Sequence, residues 1–92
     1  MTTNNDAIDY PVDGTLDLHQ FRAEETKEVV EEYIKVCIEK NIYSIRIVHG
    51  KGKGVKRRIV ESVLSKHPHV ARHRHEGGSG GSWGATVVDL KC

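Results

Sequence analysis

The chain has few of the residues that staple a fold or anchor it in a membrane. It holds 2 cysteines, 2 prolines, 1 tryptophan and 1 phenylalanine in 92 residues. Two cysteines are too few for the disulfide framework of a small secreted domain, and Cys37 falls inside an apolar helical pattern while Cys92 is the last residue. That usage points to a reducing, cytoplasmic setting. No run approaches the roughly 18 consecutive apolar residues of a membrane helix. Residues 1–14 are polar and acidic instead of basic then greasy, so neither a membrane span nor a secretory leader is expected. The length suits a single domain and excludes a two-domain enzyme. With 37% hydrophobic and 29% charged residues, the composition describes a small globule with a lean core.

Charge of one sign is scarce in each half. Residues 1–45 hold 4 Lys/Arg against 10 Asp/Glu, and residues 46–92 hold 10 against 3, so the overall +1 conceals an acidic half and a basic half. A clustered set of Lys and Arg suits a polyanionic partner, because neutralised phosphates release their condensed counterions. The plainer alternative is that the two halves complement each other within the fold.

Hydrophobic periodicity orders the elements. Residues 1–13 have no sustained period and read as a flexible leader; residues 14–92 read as one domain. Thr15 to His19 alternates as a strand with Leu16 and Leu18 inward. Val30, Ile34, Cys37 and Ile38 form the apolar stripe of a helix from Ala23 to Lys40, stopped at Asn41. Ser44 to His49 is β-branched and strand-like. Val55 to Lys66 is a second helix with Val55, Ile59, Val60, Val63 and Leu64 on one stripe, ended by Pro68. His69 to Glu76 and Trp83 to Leu90 read as strands joined by a Gly/Ser connection. The order is β-α-β-α-β-β, an α/β, two-layer arrangement with a four-stranded mixed sheet. Helical crossovers predict parallel pairing among the first three strands and an antiparallel final hairpin. Two helices cannot cover both sheet faces, so one face is expected open, with Asp17 and Arg46 out of phase with their apolar neighbours and Arg72 and Arg74 sharing a phase.

Ligands of such sheets gather beyond the carboxyl ends of the parallel strands, where His19 and His49 fall. Asp17, two residues before His19, can orient it, share its acid–base work or hold a cation. The run His49-Gly50-Lys51-Gly52-Lys53-Gly54 lies between a strand and a helix, where glycine backbone and a helix dipole suit a phosphate. It matches neither the Walker spacing nor the dinucleotide fingerprint. Lys56, Arg57 and Arg58 occupy the first turn of the next helix, against its dipole, a cost that a bound polyanion reverses. His67, His69, His73 and His75 invite a zinc reading, but Arg72 and Arg74 between them repel a cation and no familiar ligand spacing is present. Trp83 is available for base stacking or as a core anchor.

Leu16-Asp17-Leu18-His19, then His49-Gly50-Lys51-Gly52, then Gly80-Gly81 through Trp83-Gly84-Ala85-Thr86-Val87-Val88, together resemble the Smr (small MutS-related) domain over about residues 14–90. Gln20 stands where glycine often follows the first motif. The resemblance implies that family's β-α-β-α-β-β fold and a nuclease-like site for structure-dependent cleavage or nicking of DNA or RNA. It brings no MutS-like ATPase to these residues. The expected function is therefore a nucleic-acid-binding endonuclease, a phosphodiester hydrolase or transesterase acting on RNA or branched DNA, with the ribosome as a further partner. Its expected catalytic residues are Asp17, His19 and His49. Gly50, Lys51, Gly52, Lys53, Gly54, Lys56, Arg57, Arg46, Arg72 and Arg74 are the expected nucleic-acid contacts. No cofactor is required if a ribose 2′-OH is the nucleophile; Mg²⁺ or Mn²⁺ at Asp17 becomes relevant with DNA. The alternatives are a non-catalytic nucleic-acid or ribosome-binding module and a protein-interaction domain.

Overall fold

The computed structural model describes residues 12–50, 54–75 and 84–91. The strands are β1 (Thr15–Asp17), β2 (Ser44–Val48), β3 (Val70–His75) and β4 (Ala85–Leu90), and the helices are α1 (Ala23–Glu39) and α2 (Val55–Lys66). A 3₁₀ turn, Leu18–Gln20, follows β1. The first strand is shorter than its alternation predicts because Oδ1 of Asp17 accepts the backbone N–H of His19 at 2.9 Å. That bond ends the ladder and starts the turn. Leu18 nevertheless stays in the inward phase and is fully buried.

α1 begins where Oε1 of Glu25 accepts the Arg22 N–H at 2.8 Å and ends where sequence places its stop. Asn41 takes a left-handed φ of 62°. The N–H groups of Asn41 and Ile42 then return to the carbonyls of Ile38 and Cys37 at 3.1 and 2.8 Å, which satisfies the last orphan acceptors of the helix.

The sheet order is β1-β2-β4-β3. This corrects the parallel pairing expected among the first three strands. β1 and β2 pair in parallel, but β4 is inserted between β2 and β3 and runs antiparallel to both. The crossover through α2 carries β3 one place beyond β2, and the returning chain fills the gap. β1, β2 and β3 still share one direction, so their carboxyl ends and the amino end of β4 meet at one edge.

One face of the sheet is buried. Leu16, Ile45, Ile47, Val88 and Leu90 share a core with Val30, Tyr33, Ile34 and Cys37 of α1 and Val60, Val63 and Leu64 of α2. Burial of such side chains is the main favourable term in folding, at about 1.5–3 kcal/mol each. Tyr33 reaches past the core, where its hydroxyl accepts the N–H of Gly14 at 3.0 Å. Burial raises that phenol to about 12 and the Cys37 thiol to about 11, which makes Cys37 an inert core thiol. Val12 also packs against the core, and residues 1–11 lie outside the described part. No described helix covers the opposite face, as expected. Thr15, Asp17, Arg72 and Arg74 are exposed there, and Arg46, Val48, Val87 and Asp89 are half-buried. No described helix is long and apolar enough to cross a membrane.

Candidate functional site

The edge shared by the three strand ends collects most of the chemistry. At the end of β1, Nδ1 of His19 lies 2.7 Å from Oδ1 of Asp17, within the range of a charge-assisted hydrogen bond. A carboxylate can only accept, so Nδ1 carries the proton and Nε2 keeps its lone pair when the ring is neutral. The same carboxylate oxygen holds the His19 backbone N–H, and chiefly for that reason the Asp17 carboxyl lies below its ordinary value of 3.8. The His19 and Asp17 side chains are 64% and 57% exposed, open to a large ligand.

His19 leans over the end of β2. A β-carbon built on Gly50 would lie 3.0 Å from His19 Nε2, so the absence of a side chain at 50 lets the imidazole rest against backbone. Gly50 has φ of 82°, which glycine adopts at no steric cost. Gly84, just before β4, approaches Gly50 from the other side; its φ is 73°, and a β-carbon there would lie 2.7 Å from the Gly50 carbonyl carbon. The Gly84 carbonyl accepts both the His49 and the Gly50 N–H groups, at 2.7 and 2.9 Å. The Gly50 amide is therefore engaged within the fold; of the rest of the expected phosphate cradle, residues 51–53 lie outside the described residues and Gly54 caps α2.

His49 is placed differently from His19. It is only 6% exposed. Its Nδ1 lies 3.2 Å from the Gly50 carbonyl and its Nε2 2.9 Å from Oγ1 of Thr86, itself fully buried. Since a carbonyl accepts, Nδ1–H donates to Gly50 and bare Nε2 accepts the Thr86 hydroxyl. Burial holds this imidazole below 6.5; the Gly50 carbonyl opposes that, and His75 and Arg57 reinforce it. Both nitrogens are occupied by the fold, so His49 braces the Gly50 turn.

Of the basic residues, Lys56 donates from Nζ to the Leu18 carbonyl at 2.8 Å, tying the start of α2 to the turn after β1. Arg57 is exposed near Gly54, the left-handed N-cap of α2. Lys51, Gly52, Lys53 and Trp83 lie outside the described residues. Arg46 and Arg74 share a row of the open face, with Val87 between them. Asp17 lies one row nearer the edge, and Arg72 is paired with Asp89 at 2.9 Å.

Two contributors had no role assigned from the sequence, although Thr86 lies in the third motif. Thr86 falls in the inward phase of its strand with Val88 and Leu90, a polar residue at a core position that demanded a partner. Glu61, whose Oε2 lies 2.6 Å from Nε2 of His75, had no local signal, since only the packing of α2 on the sheet brings the two together. No three His, Cys, Asp or Glu side chains converge as ligands among the described residues. The same observation bears on Mg²⁺ or Mn²⁺. Asp17 offers one carboxylate whose Oδ1 already holds two donors, so the described residues build no multi-ligand cage for such an ion.

A family model described as the Smr domain matches residues 16–91. The chain belongs to the Smr domain family. This Smr domain is 42% identical over 81 residues to a protein named Endonuclease MutS2 from Clostridium botulinum (strain Loch Maree / Type A3), covering 87% of this chain and 10% of the relative. It is 40% identical over 83 residues to Endonuclease MutS2 from Halalkalibacterium halodurans, covering 90% and 11%. The chain thus spans about a tenth of the length of the curated relatives it matches. Among solved structures, the Smr domain of Thermus thermophilus MutS2 is similar with a TM-score of 0.78 at 24% identity, covering 87% of this chain and all of that one. YdaL, a stand-alone small MutS-related protein from Escherichia coli, gives 0.77 at 24% identity, covering 94% and 70%. These two likenesses establish the shared fold.

Proposed function

We propose that this Smr domain is a nucleic-acid-binding endonuclease and that its preferred substrate is RNA. The observation that carries the reading is the Asp17–His19 pair: a 2.7 Å bond orients an exposed imidazole with its free nitrogen turned toward the Gly50 backbone. Support also comes from the curated relatives, which are named endonucleases.

In this reading a strand of RNA crosses the edge of the sheet with its phosphates near α2 and the open-face arginines. Nε2 of His19 removes the proton of a ribose 2′-OH, with Asp17 stabilising the imidazolium that forms. The 2′-oxygen attacks the adjacent phosphorus and the bond to the 5′-oxygen breaks. A 2′,3′-cyclic phosphate remains on one product, the departing 5′-oxygen takes a proton from water, and the hydroxide left takes the proton held by His19, which restores the neutral imidazole. The first-turn amides of α2, with Gly54, Arg57, Lys51, Gly52 and Lys53, offset phosphate charge. Arg46, Arg72 and Arg74 guide the strand over the open face. His49 serves as a positioning residue that keeps Gly50 against His19. No step requires a protein-bound metal, and the reading extends to a cytoplasmic setting in which the protein meets RNA on its own or at the ribosome.

The test is incubation of the full chain with labelled single-stranded RNA, hairpin RNA and branched DNA, with and without chelator. Cleavage of RNA that persists in chelator and leaves cyclic phosphate ends is expected. His19→Ala and Asp17→Ala should each slow it by about 100-fold or more while binding is retained. Full activity in both variants sinks the assignment. Tight, salt-sensitive binding without product under any metal condition would instead favour the non-catalytic module, for which the Arg46 and Arg74 row is the supporting observation.

A further inference from the structure

On the side of the helices away from the sheet, α1 and α2 leave a groove with a volume of about 1040 Å³. Ile38, Ile59 and Val63 supply its apolar lining. Ile38 and Ile59 are only partly buried although both pack against the core. None of Asp17, His19, His49, Gly84 or Thr86 lines it.

Charge is sorted around this groove. α1 carries six glutamates and two lysines, yet both lysines, Lys27 and Lys35, line it, and of the glutamates only Glu31 and Glu39 do. α2 contributes Arg58 and Lys66, whereas its one carboxylate, Glu61, is turned away to His75. Four cations therefore face two anions, with His67 and His69 at one end. An otherwise acidic helix thus presents its positive residues here.

We propose that this groove docks an amphipathic helix of a partner protein whose flanks carry Asp and Glu. A helix laid between two others packs its apolar ridge into their groove, with anchors spaced at i, i+3 or i+4, and i+7. From Lys27 to Glu39 the wall is about 18 Å long at the helical rise, enough for about three turns. An acidic flank on each side of the apolar ridge meets the lysines of α1 on one wall and Arg58 and Lys66 on the other. A nucleic-acid strand would answer the cations but leave the isoleucines uncovered. A second copy in symmetric contact would oppose like charges across the seam. Docking here leaves the strand-end edge free, so partner and nucleic acid can be held together.

The experiment is a titration of the full, isotope-labelled chain with a fluorescent helical peptide of about 16 residues, bearing Leu at i, i+3 and i+7 and Glu on both flanks. A version with Lys in place of every Glu and a single-stranded RNA serve as competitors. Saturable binding that shifts the amides of Ile38, Ile59 and Val63, with the acidic peptide at least about tenfold tighter than the basic one, is expected. The surface variant Lys35→Glu/Arg58→Glu should weaken it about tenfold or more with an unchanged circular dichroism spectrum. Lack of saturation, equal affinity for the two peptides, displacement by the RNA, or self-association that disappears in the double variant would each overturn the proposal.

Discussion

Thr86 and His49 share a 2.9 Å hydrogen bond between the sides of neighbouring strands, with both residues buried. The imidazole has no solvent to turn to if the hydroxyl is removed. Thr86→Val keeps the shape and deletes the donor, and is expected to lower stability by about 1–3 kcal/mol, the cost of an unsatisfied buried polar group. Thr86→Ser, which restores the hydroxyl, should recover much of it. Urea denaturation checks both, and an unchanged midpoint for Thr86→Val would show that the bond holds nothing.

The same histidine gives stability a pH dependence of defined sign. His49 is held below 6.5 by burial, so below that value the unfolded chain binds a proton that the native state refuses. Its stabilising contribution is complete above pH 6.5 and is lost as pH falls from there through the lower native value. His67, also lowered chiefly by burial, acts with the same sign. Unfolding midpoints followed from about pH 8 to pH 5 should fall on acidification, and less steeply in His49→Gln. Parallel curves for the two proteins would refute the assignment to His49.

Gly84→Ala tests the backbone crossing. The left-handed φ of 73° strains any side chain, and the new carbon would lie 2.7 Å from the Gly50 carbonyl carbon. A loss of at least about 1–3 kcal/mol is expected from the conformation alone, more once the overlap is relieved by moving Gly50. Because Gly50 carries His19, RNA cleavage should fall even where the fold survives at low temperature. Wild-type stability in Gly84→Ala would mean that the two turns can part without cost.

For Asp17 the informative readout is its own titration. Its carboxylate is favoured in the fold, so its contribution is present above 3.8 and is lost as pH falls through the lower native value. Exposure keeps that contribution small. The main cause is the backbone N–H of residue 19, which His19→Ala retains. Carboxyl-carbon NMR is therefore expected to find the midpoint below 3.8 in the wild type and still below it in His19→Ala. A midpoint at or above the ordinary value in the wild type would contradict the geometry.

Elements with a sustained period were legible in the sequence. α2 matches its apolar stripe at both ends, and α1 differs only in its last residue because Asn41 announces the stop. The position of β4 was not legible, since alternation tells which face a residue takes but not which neighbour its strand finds. The site divides in the same way. Asp17 and His19 are two residues apart, so local geometry decides their contact. His49 and Thr86 are 37 residues apart, and only the sheet register makes them partners. A histidine at a strand end looks the same in sequence whether it faces solvent or turns inward.

The insertion of β4 also sets an order of assembly. β3 has β4 as its sheet neighbour, yet β4 is the last of the described elements in the chain. A chain emerging from synthesis holds β2 and β3 with open flanks until residues 85–90 arrive, and unpaired flanks recruit strands from other molecules. Truncation within those residues does not trim an end. It removes the middle of the sheet, so shortened products are expected to aggregate instead of persisting as partly active fragments.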